Sequence, residues 1–345
     1  MRALRGLALL ATAALLGFAC GGSGSSGGGG NCGKTFKVGL VTDVGKLSDK
    51  SFNATSWKGV QDAQNDSSLC VQGRAIESNQ PTDYQKNMQT FADQHYDMVI
   101  AVGFLMGDDT MAAAKANPNV KFAIVDFAYN KPPANLTGLV FKEDQAGFLA
   151  GALAGLQTKS NTIGGVFGLK IPPVQRYVDG YVNGIKQTNP NAKVLTVYQP
   201  PGPKAFNDPD WGKARAIEEI DQGADVVFGG GGNTGNGALL GTLERKQTCI
   251  GVDVDQYISY PDVRGCLITS AEKHLALAVK TAIADAKNGH WPSSGLLTFD
   301  AKNNGVGIAP YHDYDSKVSQ ATKSKIEDIR KRLADGSLST GVNIS

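Results

Sequence analysis

From residue 36 onward, short apolar runs alternate with longer stretches whose apolar residues recur at every third or fourth position. FKVGLVTD (36–43), MVIAVG (98–103) and KFAIVD (121–126) are such runs. Their length and near-continuous hydrophobicity are those of strands covered on both faces of a parallel sheet. Residues 53–66, 82–95 and 108–116 between them have helical composition and spacing. The series continues with GVFGL, AKVLTVY, ADVVFGG and CIGVDVD, separated by PPVQRYVDGYVNGIKQT, DWGKARAIEEIDQG and GNGALLGTLERKQ. Such alternation predicts an α/β architecture with parallel sheets, of roughly seven or eight strands in two groups. The division falls near residues 140–155.

An acidic or glycine-rich position closes one strand after another: Asp43, Gly103, Asp126, Gly229 to Gly232 and Asp253. In open parallel sheets, ligands bind outside these strand ends. A single aspartate there is more often the cap of the next helix. Three of them, drawn from both halves, point to a shared site between two lobes.

Composition narrows the class. With 345 residues the chain is long enough for two domains, and 41% hydrophobic with 19% charged residues is an ordinary globular mixture. A formal charge of +2 gives no electrostatic reason to expect nucleic acid as a partner. The first residues, MRALRGLALLATAALLGFAC, carry Arg2 and Arg5, then an apolar run, then Ala19-Cys20. They predict a lipoprotein signal over 1–19, with Cys20 taking the lipid, although Gly17 stands where such signals usually have leucine. Residues 20–34 form a Gly/Ser tether to the folded body. In an exported protein the remaining Cys32, Cys70, Cys249 and Cys266 favour two disulfides. Cys249 and Cys266 each open an apolar run, so neighbouring strands could join them and leave Cys32 for Cys70. Three connectivities are open on sequence alone.

Several chemistries are excluded by what is missing. Gly235-Asn236-Gly237-Ala238 offers neither the lysine nor the hydroxyl of a phosphate-binding P-loop. The opening loop supplies Gly45 and then Lys46, which is not a dinucleotide fingerprint. The Gly24-Ser25-Ser26-Gly27-Gly28 pattern sits in the tether, without the strand and helix a nucleophile elbow needs. There is no C-x-x-C and no ligand pair among the four histidines, so neither a metal nor a cofactor is expected.

Six segments in order, VGLVTDVGKLSDKSFN, AIVDFAY, AFNDPDWGKARA, VVFGGGGNTGNG, IGVDVDQY and LITSAEKHLALAV, resemble the basic membrane protein family. These are substrate-binding lipoproteins of ABC importers, with the purine nucleoside receptors among them. The resemblance covers about residues 36–315. It implies a type I periplasmic-binding-protein fold: two Rossmann-like lobes, three crossing segments and a ligand cleft between. Lobe 1 is then expected over 35–142 plus about 267–300, and lobe 2 over 143–266 plus about 301–345.

The resemblance also implies a site. Phe52 and Phe206 match the aromatic pair that sandwiches a nucleobase, and Trp211 is a second aromatic in the same stretch. Asp126 and Asn53 match groups that hydrogen-bond the base. Asp253 and Lys273 match those that hold ribose hydroxyls, and Gly232 the glycine whose backbone lies against the ligand. Asp43 is expected to face the cleft, Asp255 to be structural and Lys46 to alter the entrance. Three aspartates against one lysine would repel a phosphate, so the implied ligand is an uncharged nucleoside such as adenosine, guanosine or inosine. The expectation is a non-enzymatic receptor, monomeric and lipid-anchored on the outer side of the cell membrane. It would deliver cargo to a permease and its ATPase. The rivals are the same fold with a sugar or another small metabolite, an enzyme that hydrolyses nucleosides, and a surface antigen whose cleft has lost its use.

Overall fold

Alternating burial along the first strands explains the architecture. In the computed structural model, which describes residues 32–343, Val38 and Leu40 point into one core while Val41 points into another. Met98, Ile100 and Val102 likewise oppose Val99 and Ala101. Both faces of this sheet are therefore covered by helices, as its apolar runs require. The signal segment with Cys20, and residues 20–31 of the tether, lie outside the described residues.

The first lobe is laid down as β1 (Phe36–Thr42), α1 (Phe52–Gln64), β2 (Val71–Ile76), α2 (Tyr84–Asp93), β3 (Met98–Val102), α3 (Gly107–Ala116), β4 (Lys121–Val125) and β5 (Leu136–Phe141). The chain then enters the second lobe with α4 (Glu143–Gln157), β6 (Thr162–Phe167), α5 (Pro172–Thr188), β7 (Lys193–Val194) and β8 (Val197–Tyr198). It continues through α6 (Pro209–Asp221), β9 (Val226–Gly230), α7 (Gly232–Glu244), β10 (Thr248–Asp253), α8 (Gln256–Ser259) and β11 (Leu267–Lys273). It returns to the first lobe for α9 (Leu275–Asn288) and β12 (Leu296–Phe299). It ends in the second with β13 (Val306–Ile308) and α10 (Gln320–Ala334). The first sheet has the order β12-β5-β4-β3-β1-β2 and is parallel throughout. The second has the order β13-β11-β10-β9-β6-β7, with β8 also on β6 and only β13 antiparallel.

Two sequence expectations need correction. The run 267–273 does not return to lobe 1. It is β11, paired in parallel with β10 from Cys249 to Asp253, and the crossing comes at His274. The run AKVLTVY is two short strands, β7 and β8, on the same neighbour.

The three crossings are tied to one another beside the cleft. Lys142 N–H donates to the Phe299 carbonyl (2.8 Å) and His274 N–H to the Gly305 carbonyl (2.9 Å). Ala301 N–H donates to Gln145 Oε1 at 2.8 Å. Just past the first crossing, α4 and α5 pack backbone against backbone. A methyl on Gly147 or Gly151 would overlap the carbonyl of Tyr177 or Tyr181, and one on Gly180 or Gly184 that of Asp144 or Phe148. The glycines recur every four residues because that spacing keeps one helix face clear.

Cys32 is bonded to Cys70 at the edge of the first sheet, and Cys249 to Cys266 where β10 meets the start of β11. They close 38- and 17-residue separations. Loops of that size contribute roughly 3–4 kcal/mol each by restricting the unfolded chain.

Candidate functional site

Both sheets aim their strand ends at one cleft. It is lined from the first lobe by Asp43 after β1, Gly103 after β3, Asp126 after β4, and Phe52 with Asn53 at the start of α1. From the second come Phe206, Gly232, Asp253 at the end of β10 and Lys273 at the end of β11. All eight residues expected to contact ligand thus border a single hollow of about 670 Å³, mouth included.

The two lobes present the same local device. Asp126 and Asp253 both adopt left-handed backbone, with φ of 71° and 66°. A non-glycine residue held there carries strain that the surrounding structure must impose, a condition found where side chains are aimed for function. Phe206 shares it, at φ 59°, and is fixed by its N–H donating to Gln199 Oε1 at 2.9 Å. Behind Phe206 the chain narrows to bare backbone: Gly231 has φ 103°, and a Cβ on it would strike Gly168 N. Only glycine satisfies both the dihedral and the approach.

One wall is polar and uncharged or acidic. The Asn53 amide donates to Asp43 Oδ1 (3.3 Å) and Asp49 Oδ2 (3.2 Å), which leaves Asn53 Oδ1 buried with no partner in the protein. Asp43 Oδ1 also accepts from Gly45 N–H at 2.8 Å. Asp49 accepts from the N–H groups of Ser51, Asn53 and Ala54 (3.0, 2.8 and 3.1 Å), which caps α1. Burial lifts the Asp43 carboxyl to about 7 against the pull of those hydrogen bonds, and lifts Asp49 for the same reason.

The other wall is an ion network. Lys273 Nζ, 2% exposed, donates to Asp126 Oδ2 at 2.7 Å and Oδ1 at 2.9 Å, bridging the lobes. Glu143 Oε1 is 3.8 Å away, and Arg176 Nε donates to Glu143 Oε2 at 2.7 Å. The ammonium also lies over the rings of Phe52 (4.8 Å), Phe141 (5.2 Å) and Tyr177 (5.7 Å). Burial works against the charged amine, but Asp126, Glu143 and Asp253 outweigh it and hold Lys273 above its usual value. Burial lifts Asp253 to about 7; Lys273 opposes that rise and Asp126 adds to it. Asp126 and Lys273, expected on the base side and the sugar side respectively, are thus bonded to each other.

Other expectations resolve differently. Trp211 is not a cleft aromatic: from α6 it packs against the cluster that holds Val166, Ala216 and Val227. Lys46 turns onto the first lobe, donating to Asn79 Oδ1 (2.7 Å) and the Ser78 carbonyl (3.3 Å). Asp255 caps α8 by accepting from Tyr257 N–H (3.1 Å) and meets His312 Nε2 at 2.7 Å. Sequence reasoning missed Asp49 and the cleft aromatics Phe104, Tyr177 and Phe228. Asp49 had a readable signal, an acidic residue four before Asn53 at a helix start. The aromatics had none, being indistinguishable from core residues. Among the described residues no group of three or more His, Cys, Asp or Glu side chains is arranged to hold a metal ion.

Two parallel-sheet lobes, three tied crossings and a cleft at opposed strand ends define a type I periplasmic binding protein. The solved structure of an ABC transporter solute-binding protein from Aeropyrum pernix K1 superimposes with a TM-score of 0.79 at 22% identity, over 88% of this chain and 92% of that one. The chain belongs to the Bmp family, described as ABC transporter substrate-binding protein PnrA-like, whose profile matches residues 36–338. It is 30% identical to the ABC transporter nucleoside-binding protein BmpA of Lactococcus lactis subsp. cremoris, over 97% of each chain. It is equally similar, at 30%, to a CD4+ T-cell-stimulating antigen of Listeria monocytogenes, over 96% of this chain and 95% of that one. The protein is thus an ABC transporter substrate-binding protein, a class whose members carry a solute to a membrane permease.

Proposed function

We propose that the solute is a purine nucleoside, held with its base between Phe52 and Phe206 and its pentose against the ion network. The observation that carries this reading is a pairing within one cleft. A phenylalanine from each lobe lines it beside an unpartnered buried acceptor, Asn53 Oδ1. A flat heterocycle suits two aromatic faces, and stacking is worth about 1–3 kcal/mol per base. Asn53 Oδ1 and Asp43 accept hydrogen bonds, which matches the ring N–H and amino donors of purines. Asp126, Lys273 and Asp253 supply acceptors and one donor for ribose hydroxyls.

The excess of acidic groups over cations argues for nucleosides over nucleotides. Asp43, Asp49, Asp126, Asp253 and Glu143 face Lys273 and Arg176 in and behind the cleft. A phosphate buried there would meet carboxylates without a free cation. The nucleoside-binding name of the Lactococcus relative supports the same ligand class. In this reading the lipid at Cys20 holds the receptor at the outer face of the cell membrane as a monomer. Lobe closure then presents the loaded form to the permease and its ATPase. Titration calorimetry decides: inosine, guanosine or adenosine should bind at micromolar concentration or below, with free ribose and nucleoside monophosphates at least a hundredfold weaker. Ribose competing as well as inosine would overturn the assignment. Inosine split to free base on incubation would replace the receptor with an enzyme.

A further inference from the structure

Outside the lining of the cleft, a chain of buried amides connects the two lobes. Gln256, fully buried, accepts from Val252 N–H through Oε1 (2.9 Å) and donates through Nε2 to Asn236 Oδ1 (2.9 Å). Asn236, on α7 and 5% exposed, donates in turn to the Asp49 carbonyl of the first lobe at 2.7 Å. Its remaining amide hydrogen goes to Asn233 Oδ1 at 3.2 Å. One residue further on, Ser259 Oγ donates to the Lys50 carbonyl at 2.7 Å, and Lys50 is held at φ 60°. The Asp49 carboxylate meanwhile fixes the N–H and side-chain amide of Asn53.

We infer that Asn236 is a positioning residue: it carries closure of the second lobe through Asp49 to the Asn53–Asp43 edge that reads the ligand. The route starts at β10, one residue from Asp253, and reaches Asn53 through Asp49 at the edge of the cleft. Its step across the lobes can form only when they are together. Both hydrogens and the oxygen of the Asn236 amide are used, so neither a hydrophobic residue nor a carboxylate can replace it. Opening the lobes leaves the Asn236 donor and the Asp49 acceptor without each other, which resists escape of cargo more than entry. The inference rests on the nucleoside reading for its ligand and on the geometry alone for its mechanism.

The test uses full-length mature protein with inosine and guanosine, read by stopped-flow fluorescence, and solute-loaded protein read by amide hydrogen exchange. Asn236→Asp keeps the volume and the acceptor for Gln256 but sets a carboxylate oxygen against the Asp49 carbonyl. Losing a buried hydrogen bond and leaving its partner unsatisfied corresponds to about tenfold to a hundredfold. That factor is expected in the dissociation rate, with the association rate within about threefold. Ser259→Ala, at a half-buried position, tests the parallel bond should Asn236→Asp fail to fold, with a smaller expected rise of about threefold to tenfold. In the closed, solute-loaded protein, exchange at residues 51–54 should quicken about tenfold in Asn236→Asp. Dissociation rates within twofold of wild type in both variants would overturn the inference. So would a loss confined to association, or unchanged exchange at 51–54. Wild-type protein that binds no nucleoside sinks the ligand assignment instead, and exchange in protein loaded with the solute it retains on purification still decides the relay.

Discussion

Replacing Lys273 with methionine isolates the charge that joins the lobes. Methionine keeps an unbranched stem among Phe52, Phe141 and Tyr177, so the change removes the ammonium more than the packing. At 2.7–2.9 Å from both Asp126 oxygens, a unit charge pair is worth about 6 kcal/mol with an effective dielectric near 20. Glu143, at 3.8 Å, adds about 4 kcal/mol on the same basis. Desolvation cancels much of this in the wild type, but the variant still buries the carboxylates while losing their cation. Breaking one partner of such a pair costs about 3–5 kcal/mol.

The cost should depend on pH in a defined direction. Without Lys273, burial lifts the Glu143 carboxyl with less opposition, so it holds a proton in the folded state that the unfolded chain has released. Each such proton makes folded stability fall by about 1.4 kcal/mol per pH unit as pH rises. Urea unfolding of unliganded protein should therefore show Lys273→Met about 3–5 kcal/mol less stable than wild type at pH 8, with most of that deficit gone by pH 5.5. Asp126→Asn/Lys273→Met should be about 2 kcal/mol or more better than the sum of the single changes, because the pair is removed together. A deficit under about 1 kcal/mol at pH 8, or strict additivity in the cycle, would refute a buried bridging pair.

Phe52→Ala should weaken inosine binding about tenfold to a hundredfold by calorimetry, the worth of one stacking face; a change under threefold would remove that face from the site. Asp43→Asn acts on stability through the acid that burial lifts from 3.8 to about 7, a difference worth roughly 4 kcal/mol. The folded wild type keeps the Asp43 proton between pH 4 and 7 while the unfolded chain releases it. That contribution is present at low pH and lost as pH rises through 7, so the unliganded variant should gain on wild type from pH 5 to pH 8 in urea unfolding. Gly151→Ala forces the α4 and α5 backbones apart, since its methyl would overlap the Tyr181 carbonyl. It should cost about 1–3 kcal/mol in the same assay despite the better helix propensity of alanine.

What the chain reveals before folding depends on the range over which each feature is encoded. The strands of the first sheet were legible because β1, β3 and β4 are unbroken apolar runs ending in Asp43, Gly103 and Asp126, a local pattern. Helix α4 was not, because twelve of its fifteen residues are buried and a helix covered on every side has no polar face to give it a period. The placement of β11 was misjudged for another reason. An apolar run states that it is a strand, but where the chain crosses three times only pairing decides which sheet it joins, and β10 and β13 claim it.

The site divides along the same line. Asp43, Asp126 and Asp253 could be picked out because each ends its own strand. The partners across the lobes lie far along the chain: Lys273 is 147 residues beyond Asp126, and Asn236 187 beyond Asp49. No periodicity links residues so separated. This is why the bond between Asp126 and Lys273 was not legible in the chain. The long-range pairs also span the two lobes, so they are contacts a hinged receptor makes and breaks as it works. The residues hardest to read from the chain are then those whose energies respond to the ligand. A substitution there should change binding kinetics as well as stability.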